Sequence, residues 1–97
     1  MASRIYWTQQ ARDDLRCIRA HIARDAPVTA LAYVRRLRES VERLRVHPMS
    51  GQIMDEFGRE NIREIFQGSY RIIYRVSELR VDILTVFHGS KLLGSSD

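Results

Sequence analysis

Tyr70-Arg71-Ile72-Ile73-Tyr74-Arg75-Val76 decides the fold. Read with the two-residue alternation of a strand, it puts Tyr70, Ile72, Tyr74 and Val76 on one face. Arg71, Ile73 and Arg75 take the other. Two more β-prone segments flank it: Ile62-Arg63-Glu64-Ile65-Phe66 and Val81-Asp82-Ile83-Leu84-Thr85-Val86-Phe87-His88. The same alternation assigns Val81, Ile83, Thr85 and Phe87 to an apolar face, and Asp82, Leu84, Val86 and His88 to the opposite one. Gly68-Ser69 and Ser77-Glu78-Leu79-Arg80 are turn-forming joints, so the three segments read as an antiparallel meander.

Upstream, Met49 to Asn61 is a polar loop holding Gly51 and Gly58, with room for a short strand at Gln52-Ile53-Met54. Before it, Leu31, Val34, Leu37, Val41 and Leu44 recur at helical spacing. That helix opens at Pro27, which suits a first turn, and runs to about Val46, because Pro48 disfavours a helical His47. Arg35/Glu39, Arg38/Glu42 and Glu39/Arg43 form opposite-charge pairs four residues apart on its solvated side. Ala11, Leu15, Ile18 and Ile22 mark an earlier amphipathic helix, and Thr8 offers its N-cap. Ile5-Tyr6-Trp7 reads as an opening strand.

The expectation is one α+β domain over residues 1–97, in the order β-α-α-β-β-β. A helical hairpin packs on one face of a small, mainly antiparallel sheet. The Tyr70/Ile72/Tyr74 and Val81/Ile83/Phe87 faces receive the helices. Arg71, Ile73, Arg75, Leu84, Val86 and His88 fall on the far side, where Leu84 and Val86 form an exposed apolar patch.

Composition bounds the function. The net charge is +4, and every base but Lys91 is arginine. Arginine forms bidentate bonds to carboxylate and phosphate, so an acidic-protein or nucleic-acid partner fits, as does a mere codon bias toward arginine. The lone Cys17 excludes an internal disulfide and fits a reducing cytosol. No apolar run reaches the ~18 residues of a membrane span, and the start carries no apolar signal region, so the expected compartment is the cytoplasm. No Gly-rich phosphate loop, metal-spaced Cys/His cluster or nucleophile elbow is present, so no cofactor or metal is expected. Metal-free RNA cleavage needs a base, an acid and phosphate-binding cations. Arg71, Arg75 and His88, with Glu56, Glu60 or Glu64, provide such groups, but nothing in the sequence brings them together.

Several local patterns share their order with one family: Trp7-Thr8-Gln9-Gln10-Ala11-Arg12-Asp13-Asp14-Leu15, Leu44-Arg45-Val46-His47-Pro48-Met49-Ser50-Gly51 and Arg63-Glu64-Ile65. Tyr70 to Val76 and Ile83-Leu84-Thr85-Val86-Phe87 leading to His88-Gly89 complete the set. Together they resemble the RelE/ParE toxin superfamily, its ParE branch most closely. The resemblance implies a small bacterial toxin that inhibits DNA gyrase by binding, with no catalytic residue, and a cognate ParD-like antitoxin that neutralises it. It implies no membrane partner and leaves direct nucleic-acid binding open.

Arg71, Arg75, His88 and Lys91 are the candidate contacts to target or partner; Ile73, Leu84 and Val86 are the candidate antitoxin contacts. The alternatives are a RelE-like ribosome-dependent messenger endoribonuclease and a non-toxic antitoxin-binding module. Arg71 and His88 match positions used by RNA-cutting relatives. Against cleavage, Arg59 is the only base between Met49 and Asn61, amid Asp55, Glu56 and Glu60, and Gly89 stands where some such relatives carry tyrosine.

Overall fold

A computed structural model describes residues 2–54 and 61–89. The elements are β1 (Arg4–Trp7), α1 (Gln9–Ala23), α2 (Pro27–Glu42), a 3-10 turn (Arg43–Arg45), β2 (Gln52–Ile53), β3 (Ile62–Gln67), β4 (Tyr70–Ser77) and β5 (Arg80–His88). The sheet order is β1-β5-β4-β3-β2. Only β1 runs parallel to its neighbour, β5; the other pairings are antiparallel. This is the α+β arrangement expected from the pattern, and β2 realises the short strand within the Gly-containing loop.

Local chemistry sets the boundaries. Thr8 Oγ1 accepts the Ala11 N–H at 3.1 Å and donates to the Ile83 carbonyl at 2.7 Å. One hydroxyl therefore caps α1 and ties its start to β5. Pro27 occupies the first turn of α2. Gly68 has φ +59, the left-handed conformation that a two-residue hairpin needs at its first turn position. Leu79 adopts φ +60 in the β4–β5 turn, without glycine's freedom there.

The main core lies between helices and sheet. Ala11, Leu15 and Ile18 of α1, with Leu37 and Val41 of α2, meet Tyr70, Ile72, Tyr74, Val81 and Ile83. Leu31, expected in the α2 stripe, is 52% exposed, whereas Ala30 is fully buried. The buried face of α2 runs through Ala30, Leu37, Ser40 and Val41. Ser40 is tolerated there because its hydroxyl donates to Gln67 Oε1 at 2.6 Å. The three helix-surface ion pairs expected from spacing are not among those of the described residues; Glu42 instead pairs with Arg45 at 2.6 Å.

One irregularity redirects β5. Ile73 lies opposite Thr85 and Tyr74 opposite Ile83, so Leu84 is an extra residue, a β-bulge. Beyond it the alternation shifts by one. Val86, expected on the far side, is 2% exposed and joins the core beneath the helices. Phe87, expected beneath the helices, packs with Leu84 against Met54, Ile62 and Ile73 on the other side. His88 turns to the helix side, where its ring meets Tyr70 edge-on with centroids 5.4 Å apart. The cause is visible at the strand's rim. β1 ends at the Trp7–Ile83 pair, leaving β5 without a neighbour beyond. Asp14 Oδ2 of α1 fills the position, accepting the Val86 N–H at 3.0 Å and the Thr85 hydroxyl at 2.5 Å.

Candidate partner-binding face

The face turned away from the helices carries Arg71 and Arg75, as the alternation of β4 predicts. Each guanidinium already has a carboxylate. Arg71 Nε donates to Glu64 Oε1 at 2.7 Å, and each of the two side chains is only 11% exposed. Glu64 reaches Arg71 because β3 pairs with β4 in a register that sets Glu64 beside Ile73 and Phe66 beside Arg71. The Arg71 guanidinium also lies 5.6 Å from the Phe66 ring centre and 5.5 Å from that of Phe87. The cation thus lies within interaction distance of two aromatic rings.

Asp82 organises a second group. Its Oδ2 accepts from Arg75 at 2.8 Å and its Oδ1 accepts from Arg80 Nε. Burial pushes the Asp82 carboxyl up, but the hydrogen bonds and charges of Arg75 and Arg80 together outweigh it, holding the group below the ordinary carboxylate value. Asp82 is nearly enclosed while Arg75 and Arg80 stay about half exposed. The two guanidiniums thus share one carboxylate, and the group presents a net positive charge to solvent.

Below these pairs lies a small apolar cluster of Met54, Ile62 and Ile73, with Leu84 and Phe87 against it. Ile73 is 1% exposed, so neither it nor Val86 offers surface, and the exposed Leu84–Val86 patch does not exist. Leu84 is half-buried. The large exposed apolar side chain beside the arginines is Phe66, at 56%. Sequence reading passed over it because a lone phenylalanine near a hairpin turn carries no pattern of its own.

The arrangement separates the groups that RNA cleavage would need. Arg71 and His88 lie on opposite faces of the sheet, because Tyr70, not Arg71, is the β4 partner of His88. Tyr70 stays protonated near neutrality: burial first, then the neighbouring Tyr33, raises its phenol above the ordinary value. Lys91, Glu56, Glu60 and Arg59 lie outside the described residues. Arg71 and Arg75 are thus the members of the expected contact set that the structure brings onto one face.

The loop that borders this face is held from beneath. Tyr74, fully buried, donates its hydroxyl to the Pro48 carbonyl at 2.8 Å and accepts the Gly51 N–H at 2.9 Å. Arg63 Nη1 donates to the carbonyls of Met49 and Gly51 at 3.0 and 2.8 Å. Gly51 is required there, since a Cβ would press on the Glu64 carbonyl and the Tyr74 ring.

A second feature lies on the helical side. Between α1 and α2 opens a groove of about 310 Å³. Arg12, Arg16 and Arg19 of α1 and Arg38 of α2 surround its apolar floor of Trp7, Leu15 and Val34. The signal was present in the sequence as arginines spaced by four and three, but such a row also describes an ordinary solvated helix face.

Comparison with known proteins adds three findings. The family model described as the ParE toxin of type II toxin-antitoxin system, parDE, matches residues 5–93. Among solved structures, the chain resembles one described as a chromosomal ParDE TA system from P. aeruginosa, with TM-score 0.75 and 22% identity, over 90% of this chain and 96% of that one. It also resembles the toxin-antitoxin complex RelBE2 from Mycobacterium tuberculosis, with TM-score 0.65 and 24% identity, over 91% of this chain and 99% of that one. At these identities the two structures establish the likeness of fold. No curated protein sequence matches significantly.

Proposed function

This chain belongs to the ParE toxin family of type II toxin-antitoxin systems, and on that premise we propose that it inhibits DNA gyrase by binding, without chemistry of its own. A cognate ParD-like antitoxin neutralises it, in the cytoplasm where gyrase works. The observation that carries the reading is the state of the two arginines. Arg71 and Arg75 are each engaged by an internal carboxylate, Glu64 or Asp82. A site for RNA phosphate wants free cations aimed at the oxyanion, with acid and base beside them. A guanidinium already paired, framed by aromatic rings and next to an exposed phenylalanine, suits contact with a protein.

Gyrase breaks and reseals DNA. A ligand that prefers the cleaved state shifts the population toward breaks in proportion to its differential affinity. In this reading Phe66 and Arg75 make direct contacts, and Glu64 and the two phenylalanine rings hold Arg71 in place. Lys91 and His88 stand as flanking contacts, and Leu84 contributes apolar area toward the antitoxin. The two related structures are toxin-antitoxin systems, which supports an antitoxin as partner here too.

Purified protein is expected to lower gyrase supercoiling and to raise the cleaved-DNA fraction, and Phe66→Ala with Arg75→Ala to weaken both effects. Unchanged supercoiling and cleavage over a wide concentration range would overturn the proposal. Fresh cuts within translated codons, mapped by primer extension in expressing cells and lost on substituting Arg71 and His88, would assign a ribonuclease instead.

A further inference from the structure

We propose that the rim formed by β1 and the start of β5, on the sheet face turned away from the helices, binds the phosphate backbone of duplex DNA. During inhibition that duplex is the segment gyrase holds; this second step rests on the gyrase reading, whereas the rim itself is tested on DNA alone.

Strand pairing builds the rim. β1 lies parallel to β5, with Arg4 beside Arg80 and Tyr6 beside Asp82. Ile5 and Trp7 pack against the helix-side core, so alternation places Arg4 and Tyr6 on the far face. Asp82 in turn lies beside Arg75 of β4. Arg4, Arg80 and Arg75 thus cross three adjacent strands, about 10 Å at the usual strand spacing. Tyr6, 45% exposed, stands among them, with the Arg80 guanidinium 4.8 Å from its ring centre and that of Arg12 at 5.9 Å.

The charge here is unbalanced, unlike the centre of the face, where Arg71 and Glu64 meet one to one. Asp82 is shared by Arg75 and Arg80. Arg4 is exposed and, among the described residues, meets no carboxylate. Glu78, exposed in the adjoining turn, forms no ion pair with any of the three arginines. Two of the cations are held in advance. Arg80 Nε donates to Asp82 Oδ1 beneath the Tyr6 contact, and Arg75 Nη2 donates to Asp82 Oδ2 at 2.8 Å. A guanidinium carries several N–H donors, so each keeps some for an oxyanion, and the side-chain ordering that binding requires is partly in place.

An acidic protein is the competing occupant, and the composition of the rim disfavours it. A protein interface has an apolar centre in which water is excluded. Among the described residues, the large exposed apolar side chains at this rim are Tyr6 and Leu79. Two guanidiniums already flank the Tyr6 ring, and Leu79 sits at the turn. The same flanking leaves Tyr6 poorly placed to stack an unpaired base, which a single strand would ask of it. Cations without a stacking platform or an apolar centre suit the outside of a duplex, where phosphate contacts position a protein without reading sequence. The face then grades from a neutral, Phe66-bearing end toward a cationic end, which matches a target made of protein and DNA together.

The test uses the whole protein and a fluorescein-labelled duplex of about 20 base pairs, roughly two turns of B-DNA. Binding is expected to raise the anisotropy. If Arg4, Arg75 and Arg80 each meet a phosphate, affinity falls about 40-fold between roughly 50 and 200 mM salt, from a slope of about −0.9 per contact. Arg4→Gln replaces an exposed side chain that forms no ion pair, so the fold is kept. Its loss over that salt range should shrink to about 12-fold, and that of Arg4→Gln/Arg80→Gln to about fourfold, with binding at low salt weakened at least about tenfold in the double variant. Circular dichroism checks the fold of the double variant, and Arg4→Gln decides the matter alone if that fold is lost. Arg24→Gln/Arg35→Gln, at exposed positions on the helical layer, should bind as the parent does. The proposal is overturned if the duplex gives no signal at low salt, or if Arg4→Gln keeps the parent's affinity and salt slope. It is also overturned if polyglutamate of equal charge displaces the duplex as well as unlabelled duplex does, which makes the rim a protein-docking surface. Gyrase separates the second step. The double variant should need at least about tenfold more protein to raise the cleaved-DNA fraction, while binding gyrase free of DNA as the parent does. Equal potency would overturn the assignment to gyrase-held DNA. A parent without effect on gyrase would remove the gyrase reading, and the duplex result would still judge the rim.

Discussion

Replacing Tyr74 with phenylalanine removes one oxygen and leaves the ring. The ring is fully buried, so the substitution opens no cavity of consequence and keeps the aromatic packing. What it removes is the double role of the hydroxyl, as donor to Pro48 O at 2.8 Å and acceptor from Gly51 N at 2.9 Å. Gly51 is buried, so its N–H has no ready replacement; Pro48 is only half-buried, and its carbonyl can recruit water. A buried group left without a partner costs about 1–3 kcal/mol, and a partly wet one less, so the expected loss is about 2–3 kcal/mol. For a chain of this size each kcal/mol moves the melting temperature by about 4–8 °C, so Tyr74→Phe should melt roughly 10–20 °C lower. Urea unfolding of the purified protein supplies the free energy, and an unchanged m-value shows that the folded state keeps its compactness. There is a matching pH effect. Burial raises the Tyr74 phenol above its usual 10.0, against the opposing Gly51 hydrogen bond and the Arg63 charge. A raised folded value means stability that is complete below about pH 10 and declines above it, a decline that Tyr74→Phe should lessen. A variant within about 0.5 kcal/mol of the parent would show that the hydroxyl does not hold the 48–51 loop.

Asp82→Asn should destabilise the fold by about 1–3 kcal/mol at neutral pH, discounted because both arginine partners are partly exposed. Because the folded Asp82 carboxyl sits below its unfolded value, its contribution is present above the ordinary carboxylate value and is lost as the pH falls through the folded one. Urea midpoints measured from neutral to strongly acid pH should therefore fall less steeply for the variant. Gly68→Ala places a Cβ at φ +59 and against the Tyr33 hydroxyl, which also receives the Ser69 N–H at 3.2 Å. A loss of about 1–3 kcal/mol in thermal unfolding is expected, and a neutral result would contradict the turn geometry. Leu31→Glu should change stability by less than about 0.5 kcal/mol, since Leu31 is 52% exposed; a loss above about 2 kcal/mol in urea would restore it to the core.

What the sequence made legible is what short-range chemistry controls. Thr8 as a cap, Pro27 as a helix start, Gly68 in its turn and the alternation through Tyr70–Val76 all act within a few residues, and the observed elements follow them. The side of β5 after Ile83 was not legible. It depends on Asp14, which lies 72 residues from Val86 in the chain and signals nothing about a strand until α1 has docked. Leu31 misled for a different reason. Hydrophobicity favoured it over Ala30, but the close-packed position near the start of α2 is filled by the smaller side chain, which is fully buried. In the candidate site, the facing of Arg71 and Arg75 followed from alternation. Their pairing with Glu64 and Asp82 required strand register, which pattern alone does not supply.

The carboxylate of Asp14 also works as a latch. It fastens the first helix to an otherwise bare rim of the meander, and Thr8 secures the same strand less than two helical turns earlier. The helical layer cannot lift without baring the Val86 amide. Deuterium uptake at that one position should therefore follow opening of the whole hairpin, and helices and strands should come apart as a single cooperative unit rather than in sequence.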